Sequence, residues 1–382
     1  MIIIFKDHFV EHNSLYIIEL RLKSISKNII SKSLKVKKKI SVGILGVTGS
    51  VGQKFVAMLA DHPWFEVTEI AASERSAGKR YRDAVNWILN TPLPKRVGEL
   101  KVKECTPDLK CKVVFSGLDS SIAGKVETDF AKAGYIVLSN SKNHRMDKDV
   151  PLLVPEINAD HLGLIKTQKF GKGCIVTNPN CSTIGMVIAL KPLLDNFGID
   201  RVNVVTMQAL SGAGYPGVSS LDTIDNVIPF ISGEEDKLET EPLKILGKLK
   251  SGKIEKTRLK ISAQCNRVPV VDGHLECVQV KLKKKATPGQ IKNAWKKFNG
   301  VPQKLKLPTA PKQPVHYFEE DKYPQPKIHR DIDKGMAVSI GRLRKDVFFD
   351  YKFVVLSHNT VRGAAGGAIL CAEIMVAKKM IK

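Results

Sequence analysis

The stretch SVGILGVTGSVGQ, residues 41–53, decides the architecture. Ser41 to Val47 is apolar enough for a buried strand. Gly46, Gly49 and Gly52 recur at three-residue spacing and open a helix that runs to Ala60. Glycine permits a sharp turn and lets a pyrophosphate approach the free N–H groups at a helix start. A glycine turn alone is weak evidence, but here a strand precedes it, a helix follows, and a second strand, Glu66 to Ala72, returns. Gly46, Thr48, Gly49, Ser50, Val51 and Gly52 are therefore the first candidate cofactor contacts.

That second strand ends in Ser73, Glu74, Arg75 and Ser76, with Lys79 close behind. Ser73, Arg75 and Ser76 suit the 2′-phosphate of NADP, whereas Glu74 would suit the ribose hydroxyl of NAD. Residues 81–110 read as loop with short elements. Lys112 to Phe115 and Gly134 to Leu138 are further strands, ending in Ser116-Gly117-Leu118 and in Asn140. Alternating strands and helices give a parallel, doubly wound sheet with ligands at the carboxyl ends of its strands. Ser116, Gly117, Leu118 and Asn140 join the cofactor list on that ground.

A second informative stretch is TNPNCST, residues 177–183. Cys174 to Val176 reads as a short strand, Asn178-Pro179 breaks it, and from Ser182 the chain is apolar all round, like a buried helix. Cys181 thus stands at a strand-turn-helix junction. Free N–H groups and the positive end of the helix dipole there favour a thiolate and can hold an oxyanion. The ordinary alternative is a small buried hydrophobe. Polar turn residues on both sides are poor packing partners, so Cys181 reads as a nucleophile.

Beyond it, Val202 to Met207 is a strand and Gln208 to Gly217 a long glycine-rich loop of the kind that more often serves function than structure. Glu234 to Leu249 reads as a charged helix, on which Glu241 and Lys244 by themselves form a surface ion pair. After Arg267 and an Asp272-Gly273 turn, His274 starts a strand at the rim of a buried face, as a core histidine or as the imidazole of a Cys/His pair. The proline-rich stretch 302–330 reads as extended connections outside the core. Ala337 to Gly341 and Phe349 to Leu356 are strands. A small-residue helix, ending near Lys378, returns to the first domain.

Composition sets bounds. The chain has 382 residues, enough for two domains, and 61 basic against 38 acidic residues give a net charge of +23. The lysines are dispersed and aromatics few, which argues for a solvated surface and anionic ligands over nucleic acid. Seven cysteines without a C-x-x-C pair imply neither a disulfide framework nor a metal site, and fit a reducing cytoplasm. No apolar run is long enough to span a membrane. Residues 1–39 read as a poorly ordered extension. Residues 40–180 with 358–382 form the NADP-binding domain, and 181–357 the catalytic and dimerisation domain.

Six stretches resemble, in order, those of the aspartate-semialdehyde dehydrogenases, particularly the archaeal and fungal branch: GVTGSVGQ (46–53), AASERSAGK (71–79), TNPNCST (177–183), MQALSGAGYPG (207–217), CNRVPVVDGH (265–274) and HNTVRGAAGG (358–367). The likeness covers roughly residues 41–380. It implies an α/β chain, with a Rossmann-like NADP-binding domain, an α+β catalytic and dimerisation domain, and a dimeric or tetrameric assembly. It also implies Cys181 as nucleophile, Gln208 and His274 as catalytic partners, and Arg145, Glu241, Lys244 and Arg267 as substrate contacts. Ser211, Gly212 and Asn359 are implied near the cofactor. The segment Ser141 to His144 departs from the alanine- and serine-rich form of the family. The implied reaction reduces L-4-aspartyl phosphate through a cysteine thioester, releasing phosphate and the semialdehyde, toward lysine, threonine and methionine. The rival readings are an acyl reductase of the malonyl-CoA reductase kind and a non-catalytic basic nucleotide-binding protein.

Overall fold

Strands β1 (Ile40–Leu45), β2 (Phe65–Ala72), β3 (Lys103–Glu104), β4 (Val113–Ser116), β5 (Ile136–Ser139) and β6 (Cys174–Thr177) form a sheet in the order β3-β2-β1-β4-β5-β6. Every neighbouring pair is parallel. The computed structural model describes residues 38–382, so nearly all of the expected 1–39 extension lies outside the described residues. The strands of this sheet are mainly apolar because packed elements cover both faces. Helices α1 (Ser50–Leu59) and α2 (Ser120–Lys132) supply crossovers. The strand order reverses direction between β1 and β4, which opens a crevice above their carboxyl ends. Gly46 sits in that crevice at φ 74°, and a Cβ there would stand 2.8 Å from the carbonyl oxygen of Gly117.

Strands β7 (Ile199–Gln208), β8 (Lys248–Lys250), β9 (Lys253–Glu255), β10 (Lys260–Arg267), β11 (His274–Leu282), β12 (Val315–Phe318), β13 (Val338–Lys345) and β14 (Tyr351–Ser357) complete the set. All but β8 and β9 form a mixed sheet in the order β10-β7-β11-β14-β13-β12. Helix α3 (Cys181–Phe197) lies on it, burying Ile184, Met186, Val187, Ile188 and Leu190 against Val202, Val204, Val278 and Val355. Helix α4 (Glu234–Ile245) packs beside α3 and β10. After β14 the chain crosses back, and α5 (Gly366–Ala377) buries Ile369, Leu370 and Ile374 in the first sheet's core with Val42, Phe55 and Phe115.

Two local expectations fail, and one turn is not anticipated. The helix expected to reach Leu249 stops at Ile245, because β8 and β9 form a hairpin turning at Ser251 (φ 47°) and Gly252 (φ 75°). A two-residue turn with both φ positive matches the twist of its strands. The proline-rich stretch contributes β12, a proline-free VHYF segment at the sheet edge with Val315 buried. Between β14 and α5 the chain makes a π turn at Val361–Ala365, which no periodicity announces.

Candidate active site

Asn180 accepts the N–H of Ser182 at 3.0 Å and of Thr183 at 3.2 Å through its side-chain oxygen, capping α3 and fixing Cys181 as the first helical residue. The sulfur of Cys181 lies 3.1 Å from Nε2 of His274, which is buried at the start of β11. The other ring nitrogen, Nδ1, accepts the N–H of Ala209 at 3.0 Å. A neutral imidazole so held carries its proton on Nε2, facing the sulfur.

Burial pushes the Cys181 thiol up to about 12, and the Glu234 carboxylate adds to the rise against Arg145, Lys237 and the N–H of Ser182. Burial likewise lowers His274 to about 3, helped by Arg267. Both shifts favour a thiol beside a neutral imidazole. Desolvation and a nearby carboxylate thus oppose the thiolate that the helix start favours. The Asn180 cap also takes up the N–H of Thr183 and shares that of Ser182, two groups expected to be free for an oxyanion.

Cys181 opens onto a cavity of about 610 Å³. Gly46, Thr48, Gly49, Ser50 and Val51 line it with Ser73, Gly117, Leu118 and Asn140 on one side, and Gln208, Ser211, Gly212 and Asn359 on the other. The structure thus brings the glycine turn and the cysteine to one crevice. Ser73 continues into a neighbouring cavity of about 390 Å³ that Arg75 also lines. Asn359 accepts the N–H of Gly273 and donates to Ser211 Oγ, both at 2.8 Å, which pins the long loop to the crossover.

Three residues of the cofactor list do not line either cavity. Ser116 Oγ donates to Glu127 at 2.6 Å beneath the sheet. Gly52 packs against the backbone of Val47, where a Cβ would clash. Ser76 closes a turn onto the carbonyl of Ser73. Their part is packing and turn geometry.

Among the charged candidates, Arg145 lines the cavity, donates to Glu241 at 2.9 Å and to the carbonyl of Asn140 at 2.7 Å, and leaves its buried Nε without a protein partner. Arg267 is buried behind the loop and donates to the carbonyl of Ala209 at 2.7 Å, and a Cβ on Gly212 would stand 2.9 Å from its guanidinium. Glu241 and Lys244 are not a surface pair and do not reach the cavity. Glu241 is buried on Arg145 and on the N–H of Asn180. Lys244 places all three protons on the carbonyls of Arg145, Asp147 and Val150 at 2.7–2.8 Å, and burial lowers its ammonium to about 8.

The cavity takes instead Glu234 and Lys237, which sequence reasoning passed over. They pair with each other, and Glu234 accepts from Asn180 at 2.8 Å and from Gln208 at 3.4 Å. Burial would raise the Glu234 carboxyl, but Lys237, Asn180 and Gln208 outweigh it and hold the group below its usual range. The signal was present: E-x-x-K occurs at 234–237 and again at 241–244, and only the first turn of α4 faces the strand ends. Asn180, Tyr215, Gly363 and Ala364 also line the cavity, and the hydroxyl of Tyr215 accepts from Asn86 at 2.6 Å.

The family described as "Semialdehyde dehydrogenase, NAD binding domain" matches residues 41–165, and "Semialdehyde dehydrogenase, dimerisation domain" matches 190–362. The aspartate-semialdehyde dehydrogenase of Archaeoglobus fulgidus is 51% identical over 89% of this chain and 99% of its own. That of Schizosaccharomyces pombe is 50% identical over the same shares. Among solved structures, the Candida albicans enzyme with NADP superposes with a TM-score of 0.83 at 44% identity, covering 90% of this chain and all of the other. An aspartate semialdehyde dehydrogenase II of Vibrio cholerae complexed with ASA gives 0.72 at 26% identity, covering 89% and 99%. The chain belongs to the aspartate-semialdehyde dehydrogenase family.

Proposed function

We propose that the chain is an NADP-dependent, phosphorylating aspartate-semialdehyde dehydrogenase acting in lysine, threonine and methionine biosynthesis. The observation that carries this reading is the 3.1 Å contact of His274 with Cys181, which opens onto the same cavity as the glycine turn. The cofactor fits the residues present. Helix α1 has no side-chain cap, and only glycine permits the turn at residue 46. Gly46 to Val51 would hold the pyrophosphate and Ser73 with Arg75 the 2′-phosphate, while Ser211, Gly212 and Asn359 line the opposite wall. When bound, NADPH supplies the hydride.

The chain's own residues supply the acyl chemistry. The Cys181 thiol gives its proton to water entering the cavity, and the thiolate attacks the acyl carbon of L-4-aspartyl phosphate, the bond from that carbon to the phosphate oxygen breaking as the thioester forms. Gln208 Nε2 is the side-chain donor for the oxyanion. Arg145, with its unpartnered Nε, and Lys237 receive the phosphate and Glu234 the substrate ammonium, while Arg267, directly behind Gly212 of the cavity wall, would take the α-carboxylate. His274 Nε2–H steadies the sulfur anion before attack and again when the tetrahedral adduct collapses to the semialdehyde and expels it. Residues 40–180 with 358–382 serve the cofactor and 181–357 the substrate and dimer contacts. The assembly is a homodimer or homotetramer, in keeping with the dimerisation-domain match. Seven free thiols suit a reducing cytoplasm.

The test is an assay with aspartate semialdehyde, with and without phosphate, comparing NADP with NAD. Phosphate-dependent reduction of NADP, lost in Cys181→Ala, is expected. Reduction indifferent to phosphate would favour the thioester-reductase alternative.

A further inference from the structure

The chain crosses from β14 to α5 through a single widened turn. Gly363 N–H reaches the carbonyl of His358 at 3.0 Å, and Ala365 N–H that of Thr360 at 3.2 Å, both five residues back. Such π turns interrupt helices mostly at functional sites. Here the turn leaves the carbonyls of Gly363 and Ala364 to a side chain outside it. Both accept from Asn178 Nδ2, at 3.2 and 3.4 Å, and the same amide reaches Asn140 Oδ1 at 3.1 Å. Asn178 is 2% exposed and stands three residues before the nucleophile.

Two glycines record how closely the turn is pressed onto that stretch. A Cβ on Gly363 would lie 2.6 Å from the Cβ of Cys181 and 2.8 Å from its Cα, and one on Gly367 would lie 2.5 Å from Asn178 Oδ1. Gly363, Ala364, Asn140 and Cys181 wall the same cavity. A displacement of the turn therefore moves either the sulfur or the wall facing it.

We infer that Asn178 is a positioning residue: its carboxamide fastens the crossover between the two sheets to the nucleophile turn, and so sets where the sulfur stands relative to the glycine-turn wall. This rests on Cys181 being the nucleophile. The role requires a donor. Asn178→Asp keeps the shape but turns an oxygen toward three oxygen acceptors, whereas Asn178→Ala merely removes the tie.

The experiment measures kcat and KM for both variants, the rate of Cys181 alkylation by iodoacetamide, and thermal melting. A misplacement of about 1 Å costs roughly 100-fold. Asn178→Asp is therefore expected to lower kcat by about 100-fold and Asn178→Ala by about tenfold, with KM for phosphate moving less than about threefold. An aspartate variant as active as the alanine variant, or both within about twofold of the unaltered chain, would overturn the inference. If Asn178→Asp does not fold, Gly363→Ala serves: its Cβ pushes on Cys181, and alkylation should change by about tenfold or more, an unchanged rate counting against the inference. Activity surviving Cys181→Ala would instead remove the nucleophile reading, and this inference with it.

Discussion

Arg145 donates to one oxygen of Glu241 at 2.9 Å, while the other oxygen of Glu241 accepts the N–H of Asn180, the residue before Cys181, at 2.7 Å. One buried carboxylate thereby ties a guanidinium of the cavity wall to the nucleophile turn. Removing one partner of a buried ion pair leaves an uncompensated charge, which costs about 3–5 kcal/mol. Glu241→Ala should lower unfolding stability by that order in urea titration. An unchanged midpoint would mean that the pair is not a structural tie.

Glu234 and Lys237 occupy the cavity, where they can meet substrate, and Lys237 is partly exposed. A hydrogen bond to a charged group contributes about 1.5–3 kcal/mol, so Lys237→Ala should raise KM for phosphate by about tenfold or more. Its melting temperature should change little, since the ion pair it breaks is not fully buried. A variant that melts early but binds phosphate normally would return Lys237 to scaffolding.

The sign of the pH dependence follows from the direction of two shifts. The Cys181 thiol is raised to about 12, so the reactive anion forms only as pH climbs. His274 is lowered to about 3 and stays neutral across the neutral range. Alkylation of Cys181 by iodoacetamide should rise steadily from pH 6 through pH 9–10, with no step near the ordinary histidine value of about 6.5. A plateau below pH 7 would indicate a preformed thiolate–imidazolium pair.

Arg75 lines the smaller cavity beside Ser73. Arg75→Ala should raise KM for NADP by about tenfold or more while leaving that for NAD nearly unchanged, because a 2′-phosphate loses a charge-assisted partner and a 2′-hydroxyl does not. Equal effects on both cofactors would place the 2′-phosphate elsewhere.

How much of this was legible in the sequence depends on the range of the interaction. The glycine turn, the strands of the parallel sheet and the junction at Cys181 are local patterns, and each appears within one to three residues of its expected place. The pairing of Cys181 with His274, 93 residues apart, stood in the residues as one of two readings of the histidine, and the family resemblance implied it. Three things escaped for physical reasons. The two E-x-x-K pairs differ by seven residues, two turns of one helix, so helical spacing cannot tell which meets the cavity and which lies under Arg145. The resting state of the thiol depends on desolvation and on Glu234, both set by tertiary packing. The turn at Val361–Ala365 has no proline to set it apart from the helix it leads into, and its close contacts with Asn178 and Cys181 arise only in the fold.

The account turns on an acyl group carried by sulfur, which mass spectrometry of the intact chain measures directly. Incubation with aspartate semialdehyde and NADP in the absence of phosphate should leave one aspartyl group per chain, on the peptide containing Cys181, and added phosphate should discharge it. NADP reduction that proceeds with no adduct, or an adduct on any other cysteine, would contradict it.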